Sequence, residues 1–300
     1  MSNSLFTLRG RDFLSISDLG RDELLGLLDL ADGIKAGSWR EQPLAGRQVA
    51  MLFQKPSMRT RVSFEVGIHR LGGASVALGE QDVQIGQRET VADAARVLGR
   101  YVDFIVARLR RHRDLIELAA HARVPVINAL TELEHPCQVL ADLMTIRERC
   151  GSLDEPVAYI GDGNNMVTSL AQAHVLLGFP LTVITPSGYE PSQQVRARAP
   201  DMVVANDRAL VAGARVVYTD VWTSMGFEEE AGLRRANFAA YQVDAALMRK
   251  AAPGAVFMHC LPAHRGEEVT DEVIDGPASV VFDQAENRLH AQMALLALLA

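Results

Sequence analysis

From residue 47 almost to the end of the chain, short apolar runs alternate with stretches of helical periodicity, and no other feature restricts the fold as much. An apolar run that ends in turn signals and hands over to a helix reads as a strand covered on both faces, and repeated strand-helix units assemble into parallel sheets. Two such blocks are present. The first predicts strands over 47–53, 74–78, 103–107 and 124–128, and the second over 157–161, 181–185, 202–204, 215–219, 255–258 and 279–282. A leucine-rich helix is predicted over 21–36, stopping at Gly37. Another follows Ser57 and ends at Gly72-Gly73, and a third follows Thr90, where Thr90 and Asp93 fit a capping box. A helix over 136–149 leads into the turn-rich stretch 151–156, and a last helix runs over 285–300. The expected fold class is α/β, with two domains over 1–150 and 151–300, each a parallel sheet flanked by helices.

Bulk composition narrows the function. A chain of 300 residues, 48% of them hydrophobic, can bury full cores, and its length favours two domains over one. The net charge of -7, with cations scattered among acids, gives no electrostatic footprint for nucleic acid. No apolar stretch approaches the roughly 20 residues of a membrane span, and the opening Met-Ser-Asn-Ser-Leu-Phe-Thr lacks the regions of a signal peptide, so a cytoplasmic protein with no membrane partner is expected. Cys137, Cys150 and Cys260 are odd in number and widely spaced, which indicates neither a disulfide framework nor a metal site.

In open parallel sheets ligands bind beyond the carboxyl ends of the strands, and the chemically informative residues of this chain sit there. After the first strand comes Gln54-Lys55-Pro56-Ser57-Met58-Arg59-Thr60-Arg61. Ser57 is placed to cap a helix whose free N–H groups, with Arg59 and the Ser57 and Thr60 hydroxyls, can converge on one anion such as phosphate. An ordinary solvated first turn is the competing reading. His135 and Gln138 lie three apart at a helix start with Pro136 in the first turn, so both face one way and could grip a small planar group, or be a capping histidine and a surface glutamine. Arg108, Asn164-Asn165, Asp220 and Cys260 also follow strands. Cysteine at a strand end commonly fills core space, whereas a carboxylate there needs a partner, which leans Asp220 toward function. Gly161-Asp162-Gly163-Asn164-Asn165 lacks the third glycine of a dinucleotide fingerprint, and the next strand ends at Thr185-Pro186 instead of an acid, which disfavours NAD. The paired asparagines instead offer donors and acceptors suited to a zwitterionic amino acid. No cofactor is expected.

Four ordered motifs, Pro-Ser-Met-Arg-Thr-Arg at 56–61, His-Pro-Cys-Gln at 135–138, Asp-Val-Trp-Thr-Ser-Met-Gly at 220–226 and His-Cys-Leu-Pro at 259–262, resemble those of the carbamoyltransferase superfamily, and most closely its ornithine branch. The similarity runs nearly end to end and closes with Glu286-Asn287-Arg288-Leu289-His290-Ala291-Gln292. It implies a first domain that binds carbamoyl phosphate, a second that binds L-ornithine, and a C-terminal helix returning to the first domain. It assigns the phosphate to Ser57, Met58, Arg59 and Thr60, and the carbamoyl group to Arg108, His135, Gln138, Cys260 and Leu261. Gln84 and Arg288 match further carbamoyl phosphate contacts, and Asn165, Asp220, Ser224 and Met225 match the ornithine site. Arg108, His135, Asp220 and Cys260 are the implied catalytic residues, and the implied assembly is a homotrimer or a multiple of trimers. Met58 departs from the family, many members having Thr there.

Rival expectations share this scaffold. Putrescine or an N-acylated ornithine could be the acceptor, though Ser224-Met225-Gly226 resembles the ornithine loop. Aspartate would want cations for a second carboxylate. A noncatalytic binding protein is the rival of another class, since fold alone does not fix activity.

Overall fold

The computed structural model describes residues 7–79, 88–223 and 228–300. Gln84, Ser224 and Met225 lie outside the described residues. The chain divides into two compact units, Met1–Met144 with Asn287–Ala300, and Thr145–Glu286.

In the first unit α1 (Arg21–Lys35) precedes β1 (Gln48–Phe53), and Gly37, at φ +71°, takes the left-handed conformation that stops the helix. Then come α2 (Met58–Arg70), β2 (Ala74–Leu78), α3 (Val91–Leu98), β3 (Phe104–Arg108), α4 (His112–Ala122), β4 (Val126–Leu130) and the start of α5 (Pro136–Cys150). The four strands are parallel in the order β2-β1-β3-β4. β3 and β4 are buried at every position, as continuous apolar runs between helical layers require, whereas the edge strand β2 is partly exposed. On one face α3 and α4 pack against Ala50, Leu52, Ile105 and Ala107. Burying Leu115 and Leu118 there contributes about 1.5–3 kcal/mol each. The approach of α3 to α4 needs Gly99: a Cβ at that position would lie 1.6 Å from the Ala122 carbonyl oxygen. On α2, a Cβ at Gly67 would meet Met293 at 3.1 Å, which seats α2 against the C-terminal helix.

The second unit runs from the end of α5 through β5 (Val157–Ile160), α6 (Asn165–Leu177), β6 (Leu181–Ile184), α7 (Gln193–Arg198), β7 (Val203–Ala205) and β8 (Val216–Thr219). It continues with α8 (Ala231–Phe238), α9 (Ala245–Met248), β9 (Val256–His259), α10 (Asp271–Ile274) and the beginning of α11 (Val281–Leu299). All five strands are parallel in the order β7-β6-β5-β8-β9. Ile160, Val217 and Phe257 belong to a core with Val243 and Leu247, and the rings of Tyr159 and Tyr218 stack at 5.7 Å between centroids.

Two expectations need correction. No strand forms over 279–282: Ser279 makes one bridge to Phe257 and α11 begins at Val281. An apolar run of that length does not distinguish a strand from a helix start. β4 lies two residues later than expected, because Pro125 has no N–H to give the ladder and serves it only through its carbonyl, which accepts from Ile105 N. α4 is an addition to the expected elements, its Arg- and His-rich start masking the apolar face of Leu115 and Leu118.

In both sheets the order reverses beside the first strand of the unit, between β1 and β3 and between β5 and β8. Right-handed crossovers carry the connections on either side of such a reversal to opposite faces, so the loops leaving those strands diverge and open a crevice at their carboxyl ends. Ser57 to Thr60 and Arg108 lie at the first reversal and Asn164, Asn165 and Asp220 at the second, whereas His135 and Gln138 follow β4, Cys260 and Leu261 follow β9, and Arg288 comes from α11.

Candidate functional site

At the first reversal the loop after β1 ends in Ser57, whose extended backbone and side chain cap α2, with Oγ accepting from Thr60 N at 3.4 Å. Met58 and Arg59, at the first two helical positions, have amides with no intrahelical acceptor. Met58 is 72% exposed. Phe53, Pro56, Ser57, Met58, Arg61 and Leu78 contribute to the lining of a cavity of about 360 Å³ beside this cap.

Behind the cap lies a buried polar network. Arg288 donates through Nη2 to Thr60 Oγ1 at 3.1 Å and through Nη1 to Gln138 Oε1 at 2.6 Å. Gln138 in turn donates through Nε2 to Asp142 Oδ1 at 2.9 Å. With the Gln292 amide oxygen turned toward Arg288, it accepts from Nη2 and Nε at 2.9 Å each, while the amide nitrogen donates to Ser63 Oγ at 2.6 Å. Arg288 and Gln292 lie one turn apart on α11, so a single helix face supplies both. Asp142 and Gln292 are not among the expected residues; the spacing of Arg288 and Gln292 in the closing motif is the available signal.

Arg108 is the last residue of β3 and is buried, paired in register with Phe53. His135 is buried immediately before α5. Its burial first, and then the charges of Arg288, Arg108 and Arg59, push its proton affinity well below the ordinary histidine range. Three guanidinium groups therefore act on one neutral imidazole. Such a group can hold a doubly charged oxyanion and can donate hydrogen bonds to an oxygen on which negative charge develops. Neighbouring Cys137 is inert by comparison, since burial pushes its thiol up to about 12.

At the second reversal Asp220 follows β8 and is buried. Its Oδ2 accepts from Asn164 Nδ2 at 2.9 Å, and its Oδ1 accepts from Cys260 Sγ at 3.1 Å and from Val221 N at 2.8 Å. Asn164 also caps α6, its Oδ1 accepting from Met166 N at 2.9 Å, and Asn165 opens the helix. Gly163 approaches the backbone so closely that a Cβ would lie 2.3 Å from Pro191 N. That contact gives the glycine-rich turn a packing reason. Cys260 leaves β9 beside His259, which is wholly buried. His259 Nδ1 accepts from Leu261 N at 2.8 Å, which leaves Nε2 to donate to Glu268 Oε1 at 3.1 Å. Leu261 is held at φ +58°, in the left-handed region unusual for a side chain of its size.

The structure thus gathers Thr60, Gln138 and Arg288 by direct contact, with Arg59, Arg108 and His135 in electrostatic reach, in one unit. In the other it gathers Asn164, Asp220 and Cys260, with Asn165 and Leu261 as chain neighbours. Asn164 as a partner of Asp220, and the His259–Glu268 pair, carry no signal in the sequence that singles them out. Among the described residues no helix is long and apolar enough to cross a membrane.

Comparison with known proteins bears on both units. Residues 11–148 match the family model for the aspartate/ornithine carbamoyltransferase carbamoyl-P binding domain, and residues 154–299 match that for the Asp/Orn binding domain. An ornithine carbamoyltransferase of Symbiobacterium thermophilum is 53% identical over 98% of this chain and 99% of its own, and one of Methanothermobacter thermautotrophicus is 51% identical over 95% and 97%. The solved structure of the Pyrococcus furiosus ornithine carbamoyltransferase superposes with a TM-score of 0.93 at 50% identity, covering 98% of each chain. Matches this extensive, spanning both parallel sheets and the loops at their reversals, show that the chain belongs to the aspartate/ornithine carbamoyltransferase family.

Proposed function

We propose that this chain is an ornithine carbamoyltransferase, moving the carbamoyl group of carbamoyl phosphate to the side-chain amine of L-ornithine to give L-citrulline and phosphate. The observation that carries the reading is the set of Arg59, Arg108 and Arg288 around a neutral His135, at a capped helix start, in a chain about 50% identical to ornithine carbamoyltransferases.

In this mechanism the phosphate of the donor rests on the amides of Met58 and Arg59, the Ser57 and Thr60 hydroxyls and the Arg59 guanidinium, with Gln84 as a further contact. Arg288 fixes Thr60 and Gln138. The carbamoyl oxygen faces Thr60, Arg108 and His135, and Gln138 and the Leu261 backbone hold the carbamoyl amide. Ornithine is held by Asn165, Asp220, Ser224 and Met225. Its neutral side-chain amine attacks the carbamoyl carbon, a C–N bond forms, and the developing oxygen charge is stabilised by donors already in place. The C–O bond to phosphate then breaks, the electron pair leaving with phosphate. Asp220 and Cys260 steer the amine and its departing proton. His135 serves as a neutral hydrogen-bond donor, because the cationic form is disfavoured by the same guanidinium groups that bind the donor substrate. We further propose a cytoplasmic homotrimer working in the synthetic direction; a Pyrococcus furiosus relative 50% identical to this chain is described as anabolic.

The test is product formation from carbamoyl phosphate with a panel of acceptors. Citrulline from ornithine, with little transfer to putrescine, N-acylornithine or aspartate, is expected. Preferential transfer to another acceptor overturns the substrate, and no transfer to any of them overturns the enzyme.

A further inference from the structure

We propose that Arg234 is a positioning residue for the amine half-site, a buried guanidinium clamp that sets the separation of Asn164 and Asp220. Arg234 lies on α8, most of whose residues face solvent, yet its side chain is almost wholly buried. Nη1 donates to Asp162 Oδ2 at 2.8 Å and to the Trp222 carbonyl at 3.0 Å, and Nε donates to Glu230 Oε2 at 3.0 Å. The guanidinium carbon lies 5.0 Å from the centre of the Tyr189 ring, a cation–π distance. The Tyr189 carbonyl also accepts from Gly163 N at 2.9 Å, and the Tyr189 ring packs edge-on against Phe238, on which Trp222 stacks. One side chain thereby ties together the loops that follow β5, β6 and β8.

Two of those loops carry the amine half-site. Asn164 is two residues beyond Asp162, Asp220 is two residues before Trp222, and the 2.9 Å bond from Asn164 to Asp220 spans the gap that Arg234 bridges. A buried ion pair loses much of its attraction to desolvation, so well-packed apolar side chains would serve stability as well or better. What they cannot supply is direction: the two Nη1 bonds to Asp162 and Trp222, held at a fixed angle while Nε is braced on Glu230, set the register of two loops against each other. This gives Asp162, central to the glycine-rich turn, a task.

The identity of the amine rests on the proposed function. The experiment compares Arg234→Gln, Arg234→Lys and Asp162→Asn with the wild-type enzyme, measuring ornithine KM and kcat at saturating carbamoyl phosphate, binding of inorganic phosphate by calorimetry, and thermal midpoint. Arg234→Gln should raise ornithine KM by at least about 30-fold while phosphate affinity stays within about twofold. Arg234→Lys, which keeps the charge and loses the fork, should fall between, and Asp162→Asn should show the same one-sided loss. A purely structural role would lower the thermal midpoint and leave ornithine KM alone. An ornithine KM within about threefold of wild type in a folded Arg234→Gln enzyme, or an equal loss of phosphate binding, overturns the clamp. If Arg234→Gln does not fold, the Asp162→Asn values decide by the same criteria. A wild-type enzyme that carbamoylates a different amine sinks only the ornithine reading, and the clamp is then judged on that amine's KM.

Discussion

Acidification should destabilise this fold through His135. Burial, with the charges of Arg288, Arg108 and Arg59 added, keeps the folded imidazole from taking up a proton until well below the ordinary histidine range. Unfolded, the same residue protonates near about pH 6.5. Between those two values the unfolded state binds the extra proton. The contribution to stability is therefore fully present above about pH 6.5 and is lost as pH falls toward the folded value. The slope in that window is at most about 1.4 kcal/mol per pH unit. Integrated from pH 7 down to pH 5, the ceiling for this one residue is about 2 kcal/mol, a sizeable part of the roughly 5–15 kcal/mol of a typical fold. Other groups titrate in the same range, so the informative quantity is a difference. Urea unfolding at pH 5, 6 and 7 should show wild type losing stability faster than His135→Gln, with an excess loss that grows on acidification and stays within that ceiling. Parallel pH dependences would refute the claim that the guanidinium cluster holds His135 neutral, whatever the absolute stabilities.

Four further outcomes follow from the same geometry. Arg108→Ala should lose at least about 100-fold in turnover with its circular dichroism unchanged, the cost of removing one preorganised donor, and wild-type turnover would remove Arg108 from the mechanism. Turnover should rise from pH 6 to 8.5 as the ornithine side-chain amine, referenced to about 10.4 for lysine, loses its proton. A flat profile with saturating substrates would exclude rate-limiting deprotonation. Met58→Thr should shift the carbamoyl phosphate KM by less than about threefold, because Met58 is largely exposed and the contact proposed for it is its amide; a tenfold gain would show that a hydroxyl there reaches the phosphate. Gly163→Ala should cost about 3 kcal/mol, since its Cβ would meet the backbone at Pro191, and an unchanged melting temperature would show that this loop yields.

What the sequence discloses and what it conceals divide along physical lines. Buried parallel strands are continuous apolar runs, so β1, β3, β5 and β8 are visible at a glance, and with them the rule that places ligands at their carboxyl ends. Ser57 is visible as a cap because capping is local, and α1 ends where Gly37 says it must. The apolar run at 279–282 misleads because a single bridge at Ser279 and the first turn of α11 look the same as a short strand. Contacts between distant residues are the concealed part. The motif resemblance groups Arg288 with Thr60 and Gln138 around one substrate, but nothing in a linear reading shows that they touch, or brings Arg234 to Asp162; Gln138, which could have been a surface residue, is buried with Arg288 and Asp142 at the two ends of its amide. Leu261 in the left-handed region is likewise unannounced, since no glycine marks the position.

The paired reversals of strand order have an evolutionary corollary. The contacts of Asp220 with Asn164, Cys260 and Val221 lie within one stretch of chain, and those of Arg288 with Thr60 and Gln138 within the other unit. With the two half-sites assigned as proposed, a lineage on this scaffold can drift toward a new nucleophile by rewriting the turns after β5 and β8 while the grip on the leaving group is inherited intact. Swapping those turns between members with different acceptors is therefore the economical route to retargeting.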